Sequence, residues 1–161
     1  MRRIIFFILI PVLGILLTIY FLTVKDKNRV SMADVPLPEV LVIINNHKII
    51  AEVARSTLEK ADGLSGRAAL DENRGMLFFY DQADWYQFWM KEMRFPLDMI
   101  WIHNGTIVDI TEHVPVPDVN VSLSKFPRYS SAVPASIILE VNAGFVEKYG
   151  IEIGNNVEIV K

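Results

Sequence analysis

The sequence has no cysteine, and this absence excludes several kinds of chemistry at once. Among its 161 residues there is no thiol, so the chain has no disulfide, no thiolate nucleophile and no cysteine-ligated zinc or iron–sulfur site. Charged residues make up only 22% of the chain and hydrophobic residues make up 52%. That composition excludes a disordered chain, and the length corresponds to one globular domain.

Charge is missing altogether from residues 4–24, which are mostly Ile, Leu, Phe and Val. As a helix this run would be roughly 30 Å long, which matches the hydrocarbon core of a bilayer. We therefore predict that residues 1–30 form a single-pass membrane anchor or uncleaved signal, with the N-terminus cytoplasmic and the following domain outside. The alternative is export after signal cleavage, because Ser31-Met32-Ala33 carries small residues at the positions that a signal peptidase reads.

The remainder of the chain is short of positive charge. Residues 1–30 contain five of the 16 Lys and Arg residues and one of the 19 Asp and Glu residues. Residues 31–161 therefore carry 11 − 18 = −7. Nucleic-acid binding depends on neutralising phosphates, so we expect no nucleic-acid partner.

The pattern after residue 30 is typical of a mainly β protein. Residues 31–38 are predicted to be a linker, and residues 39–161 a single β-rich domain. Strands are predicted at residues 39–45, 48–53, 76–80, 86–91, 98–103, 106–112, 135–141 and 157–160. A capping box at Ser56 and the segment 142–149 predict two short helices. No strand–helix–strand rhythm is evident, so we expect an antiparallel sandwich or small barrel without a parallel sheet.

The densest aromatic stretch is a candidate ligand-binding segment. If residues 86–91 are a strand, Gln87, Trp89 and Lys91 share one face. A tryptophan beside two polar side chains can stack on a sugar ring while its neighbours hydrogen-bond to it. The alternative is that Trp89 packs under the long loop of residues 113–134.

Three charged residues stand out because their surroundings are apolar: Arg67, Asp98 and Glu140. A charge within an apolar strand either faces water or is paired. We therefore predict that Arg67 pairs with Asp98 or with Glu140.

Familiar catalytic and metal-binding patterns are missing from the sequence. The three histidines have no metal-ligand spacing. Ser65 misses the nucleophile-elbow pattern, because Arg67 stands where the second glycine belongs. We predict neither a metal nor a cofactor, and no catalytic residue can be assigned.

Six short motifs occur in order along residues 38–161: Gly63-Leu64-Ser65-Gly66-Arg67, Gly75-Met76-Leu77-Phe78, Phe88-Trp89-Met90-Lys91, Pro96-Leu97-Asp98, Leu139-Glu140-Val141-Asn142-Ala143-Gly144, and Gly150-Ile151 through Gly154. Together they resemble domain-of-unknown-function family 192, an uncharacterised group found in bacteria and archaea. The resemblance implies a mainly β single domain, often behind a signal or anchor, with no assigned activity.

The resemblance also implies which polar residues are characteristic of the family: Arg67, Lys91, Asp98 and Glu140. Two positions differ from the family pattern. Ser65 stands where the family usually has Met, and Glu92-Met93 stands where Asn-Thr is usual.

Two functions follow as hypotheses from these residues. We favour a membrane-tethered, extracytoplasmic binding or interaction module, for a small molecule such as a carbohydrate or for another envelope component. Its candidate ligand-binding residues are Arg67, Trp89, Lys91, Asp98 and Glu140. The alternative is an enzyme that uses Asp98 and Glu140 as acid and base, with Arg67 as an anion or charge partner.

Overall fold

The structure is a computed structural model that describes residues 36–118 and 120–160. The predicted membrane segment, in residues 1–30, lies outside this range. In the part of the chain that is described, no helix has the length and apolarity that crossing a bilayer requires.

Seven strands and two short helices make up the described fold, which confirms the mainly β prediction. The strands are β1 (Glu39–Ile44), β2 (His47–Ala54), β3 (Arg74–Asp84), β4 (Leu97–His103), β5 (Thr106–Val114), β6 (Ala135–Asn142) and β7 (Val157–Val160). The helices are α1 (Thr57–Asp62) and α2 (Phe145–Tyr149), and a 3-10 turn spans Leu123–Lys125.

Local sequence signals determine the turns and the start of α1. Asn45 and Asn46 both have positive φ between β1 and β2, as do Asn104 and Gly105 between β4 and β5. Such turns match the twist of the paired strands. At α1 the Ser56 hydroxyl accepts a hydrogen bond from the Glu59 N–H, and the Glu59 carboxylate accepts one from the Ser56 N–H. The predicted capping box is therefore present.

All seven strands belong to one sheet, in the order β5-β4-β6-β3-β2-β1-β7. The sandwich alternative, with two packed sheets, is therefore wrong. The sheet instead curls like half of a barrel, and its two edge strands approach each other at one end. There the Val157 N–H donates to the Gly105 carbonyl at 2.8 Å, and Thr106 forms a bridge with Asn156.

One strand pair differs from the predicted antiparallel pattern. β2 and β3 run parallel, with Ile50 opposite Arg74 and Ala54 opposite Phe78. The connection between them includes α1, so it is a strand–helix–strand unit. Because α1 has only six residues, it is too short to produce a helical hydrophobic period in the sequence.

The predicted strand at residues 86–91 is absent from the sheet. Its only strand-like contact among the described residues is the bridge between Phe88 and Tyr129. The predicted alternation nevertheless holds, because Phe88 and Met90 are buried while Gln87 is exposed. Tyr129 belongs to the long loop, so the loop and this segment cover the sheet together.

Each face of the sheet packs its own hydrophobic core. The inner core contains residues from all seven strands, including Val42, Leu77 and Val157. The outer core lies on the opposite face and joins Met76, Phe78, Met99 and Trp101 to residues 88–93. We call these two surfaces the inner face and the outer face.

Candidate functional site

A row of side chains crosses the outer face at the centre of the sheet. In this row Met99 of β4 lies opposite Glu140 of β6, and Glu140 lies opposite Met76 of β3. Met76 in turn lies opposite Glu52 of β2. Residues opposite each other point to the same face of a sheet, so Glu140 and Glu52 share the outer face, separated by Met76.

Glu140 is the most unusual residue of this row. Its side chain is only 5% exposed, and its flanking neighbours on the sheet are methionines. Within the described residues it has no ion-pair or hydrogen-bond partner, so its burial acts alone and raises its pKa to about 8. The carboxyl group is therefore mostly protonated at neutral pH.

A pocket of about 230 Å³ lies over Glu140. One wall comes from α1 and the turn after it, and the other wall comes from residues 87–89 and from Met93. The floor consists of outer-face side chains of the sheet. The residues that line the pocket include Lys60, Asp62, Ser65, Phe78, Tyr80, Gln87, Phe88, Trp89, Met93 and Glu140.

Two hydrogen bonds hold the walls of this pocket together. The Ser65 hydroxyl donates to the Lys91 carbonyl at 2.8 Å, and the Gly66 N–H donates to the Glu92 carbonyl at 3.0 Å. Glu92 has a φ of +56°, a conformation that asparagine adopts more readily than glutamate. The turn after α1 and the segment before β4 are thus fixed relative to each other.

The aromatic side chains of the pocket are in contact with cations of the protein itself. The Lys60 ammonium lies 4.0 Å from the centre of the Tyr80 ring. The Arg128 guanidinium lies 3.9 Å from the centre of the Trp89 ring. Burial raises the pKa of Tyr80 to about 12, so its phenol is neutral at physiological pH. Trp89 therefore lines a pocket and also packs against Arg128 of the long loop, and its role in ligand binding stays a prediction.

Arg67 has a different partner from the ones predicted. Its two terminal nitrogens bind the two carboxylate oxygens of Glu52, at 2.5 and 2.7 Å. Hydrogen bonding to Arg67 lowers the pKa of Glu52. The prediction that Arg67 pairs with Asp98 or Glu140 is wrong because Glu52, embedded in an apolar strand like the other two, lies nearer to it on the outer face.

Asp98 lies on the opposite face of the sheet from Glu140. It is opposite Val141, the residue after Glu140, and successive residues of a strand point to opposite faces. The Asp98 carboxylate is fully buried and accepts hydrogen bonds from the N–H groups of His113, at 2.8 Å, and Val146, at 3.0 Å. It ties β5 and α2 to β4, and it cannot act with Glu140 as the acid and base of one cleft.

Lys91 is close to the pocket without lining it. Its ammonium lies 3.6 Å from a Glu92 carboxylate oxygen, and its backbone carbonyl is the acceptor for Ser65. Of the five predicted site residues, the structure thus brings Trp89 and Glu140 into one pocket. Arg67, Lys91 and Asp98 lie elsewhere.

Sequence reasoning missed several members of the pocket. Lys60 and Tyr80 carry no motif, because they come from a helix and a strand that meet only in the fold. Glu52 had a usable signal, since it interrupts an apolar strand in the same way as Glu140. Among the described residues, no three His, Asp or Glu side chains lie close enough to hold a metal ion.

The chain and its fold can be compared with known proteins. No curated protein matches the chain. A crystal structure from Sinorhizobium meliloti 1021, described as a candidate transcription regulator, has 29% identity and a TM-score of 0.69. The match covers 78% of this chain and 96% of that protein. A protein of unknown function from Novosphingobium aromaticivorans DSM 12444 has 29% identity and a TM-score of 0.68, over 76% of this chain and 86% of its own.

The family model that describes an "Uncharacterized ACR" matches residues 40–159, which include all seven strands except the ends of β1 and β7. This match spans most of the chain and confirms the resemblance seen in the sequence motifs. The chain belongs to domain-of-unknown-function family 192.

Proposed function

We propose that this chain is a small-molecule-binding module whose ligand occupies the outer-face pocket over Glu140. One observation carries the proposal: the carboxyl group of Glu140, a residue only 5% exposed and without a partner among the described residues, lines a pocket. No side-chain oxygen or nitrogen of the described residues is both completely enclosed and unpartnered, so this carboxyl group keeps some accessible surface. The pocket is the route by which a ligand can supply that partner.

The lining restricts the kind of ligand. Phe78, Phe88 and Trp89 offer apolar ring surfaces, and Gln87 and Ser65 offer hydrogen-bonding groups. A volume of about 230 Å³ is below the roughly 300–1,000 Å³ of sites for drug-sized ligands. These features favour a small ligand with one ring-like or apolar face and one polar group, such as a monosaccharide unit of an envelope component.

The place of action that we propose follows from the sequence. Residues 4–24 anchor the chain in a membrane, with the N-terminus cytoplasmic and the β-rich domain outside. The charge of −7 on residues 31–161 disfavours a nucleic-acid partner, so the description of the Sinorhizobium relative as a regulator does not lead us to propose DNA binding.

A thermal-shift screen of the full chain in lipid nanodiscs tests this proposal. The panel holds monosaccharides, cell-wall fragments, amines, nucleotides and small organic acids. A ligand present at a hundred times its dissociation constant adds about 2.7 kcal/mol, which corresponds to a shift of several degrees. We expect at least one hit.

Three variants locate the binding of any hit. Trp89→Ala and Glu140→Gln change the pocket lining, and each should reduce the shift. Lys91→Ala is the matched control, because Lys91 is a neighbour in sequence that does not line the pocket, and it should keep the shift. A hit that survives Trp89→Ala and Glu140→Gln would place binding elsewhere and contradict the proposal.

A further inference from the structure

We propose that the ligand group recognised at the floor of this pocket is a cationic amine, so that the ligands are small primary ammonium compounds with a ring or apolar body. This inference rests on the proposed function and specifies its ligand class. Its basis is a combination of groups that line one cavity: the carboxyl group of Glu140 and the aromatic rings of Phe78, Tyr80, Phe88 and Trp89. Carboxylates and the faces of aromatic rings both attract ammonium ions in proteins.

The protein's own cations show that these rings accept positive charge. Lys60 places its ammonium 4.0 Å from the centre of the Tyr80 ring, and Arg128 places its guanidinium 3.9 Å from the centre of the Trp89 ring. Lys60 also lines the pocket. A ligand ammonium would therefore meet aromatic surfaces that already stabilise cations, and Lys60 would be its nearest competitor.

The ionisable groups around the pocket allow it to gain a negative charge when a cation binds. The ionisable groups that line it are Lys60, Asp62, Tyr80 and Glu140. Arg67 shares the outer face, but Glu52 already binds both of its terminal nitrogens. With Glu140 protonated, Lys60 and Asp62 balance each other, and a bound cation favours the ionised form of Glu140, which a bound anion does not.

The ionisation state of Glu140 gives this inference a specific signature. Burial keeps the carboxyl group protonated at neutral pH. An ammonium ligand pairs with the ionised form, so its binding transfers the Glu140 proton to the buffer. A neutral sugar that accepts a hydrogen bond from the protonated carboxyl releases no proton. At pH 7 we expect about one proton released per bound methylammonium, which stays protonated throughout, and this release should fall toward zero above about pH 9.

Calorimetric titration of the full chain in nanodiscs separates these cases. The probes are methylammonium, glucosamine, N-acetylglucosamine and glucose, each measured in two buffers that differ in ionisation enthalpy. We expect glucosamine and methylammonium to bind with proton release, and the two neutral sugars to bind more weakly without it. Methylammonium is the minimal probe and is carried to about 100 mM, where weak binding near 10 mM is measurable.

Variants connect the signal to the pocket. Glu140→Gln keeps the size of the side chain but cannot ionise, and should weaken glucosamine binding about tenfold or more. Lys60→Gln removes the competing ammonium and should strengthen it about two- to fivefold. Lys48→Gln is the control, because Lys48 is exposed on β2 and does not line the pocket, and it should change nothing.

The outcomes distinguish this inference from the function on which it rests. Binding of N-acetylglucosamine or glucose without binding of either amine would overturn the amine inference and support a pocket for neutral ligands. Amine binding that persists in Glu140→Gln, or that releases no proton at pH 7, would also overturn it. Absence of amine binding up to the highest concentration overturns it as well, whereas the wider thermal-shift panel decides the proposed function.

Discussion

At the residue scale, Glu140 carries a stability cost, and in the function that we propose it is also the group that recognises the ligand. Its carboxyl lies between Met76 and Met99 on the sheet and beneath the pocket. A protein that needed only stability at this position could place a hydrophobic residue there, because an apolar side chain loses no hydration on burial. The free-energy cost of keeping a carboxyl group at this position is measurable through the pKa of Glu140.

Glu140 should make the stability of the protein fall as the pH rises. Its pKa is about 8 in the folded chain and 4.5 in an ordinary environment, so between these values the folded state holds a proton that the unfolded state has lost. Stability then decreases by about 1.4 kcal/mol for each pH unit and levels off above pH 8. Urea unfolding of the full chain at several pH values measures this slope.

The Glu140→Gln variant is the reference for that titration, because its side chain does not ionise. The free energy of unfolding of the wild type, relative to Glu140→Gln, should fall by a few kcal/mol between pH 5 and pH 8. A difference that stays flat over this range would mean that Glu140 ionises at its ordinary pKa and is not desolvated.

Asp98 should matter for stability and not for binding. Its two carboxylate oxygens each accept a backbone hydrogen bond, from His113 and from Val146. In Asp98→Asn the amide nitrogen must face one of these N–H donors, so one hydrogen bond is lost in a buried place. We expect a loss of about 2 kcal/mol in urea unfolding, with ligand affinity unchanged. A loss of affinity together with unchanged stability would contradict the separation of the two faces.

Embedded charge singled out Asp98 and Glu140 from sequence alone, because both interrupt apolar strands. The sequence predicted that each would face water or pair with another charge, whereas both are buried and neither pairs with Arg67. Their partners could not be predicted, because a partner depends on which strands become neighbours and on which face each residue lies. Arg67 illustrates this limit, since Glu52 is its partner through the parallel pairing of β2 with β3.

The close approach of β3 and β6 positions Glu140 at the scale of elements. Gly75 of β3 lies opposite Val141 of β6. A methyl group at Gly75 would come within 2.8 Å of the Glu140 carbonyl oxygen and 3.0 Å of the Leu139 side chain. The contact with the backbone oxygen cannot be relieved by a side-chain rotation, so glycine permits this spacing.

Gly75→Ala should therefore push β6 away from β3. We expect a destabilisation of about 1–3 kcal/mol and weaker ligand binding, because Glu140 moves with its strand. Gly66→Ala is the comparison. Gly66 has open space around its Cβ position but a φ of +75°. The expected loss of stability in this variant, about 1 kcal/mol, therefore comes from the backbone alone. Wild-type stability and binding in Gly75→Ala would contradict this account of the strand spacing.

Elements with local signals were predictable, and elements defined by distant contacts were not. The asparagine turns and the capping box act within a few residues, and they appear where the sequence indicated. Residues 86–91 alternate like a strand because one side is buried, yet alternation does not reveal whether a backbone finds a neighbour to pair with. The structure shows that this segment covers the outer core instead.

The curl of the sheet and its two cores arise at the scale of the whole molecule. A strand order of β5-β4-β6-β3-β2-β1-β7 brings together segments that are far apart in the sequence, and no short pattern encodes it. The inner core takes a side chain from every strand and supports the fold. The outer core is covered by α1, residues 87–93 and the long loop, and the pocket lies within that cover.

Ligand recognition over Glu140 is tested most directly by NMR of the full chain in nanodiscs, with 13C-methyl methionine labelling. Met93 lines the pocket over Glu140, and Met90 lines a separate apolar groove beside the long loop. We predict that ligands from the panel shift the Met93 methyl signal and leave that of Met90 in place. A Met93 signal that stays fixed across the panel, or shifts that occur at Met90 and not at Met93, would contradict the assignment of the site.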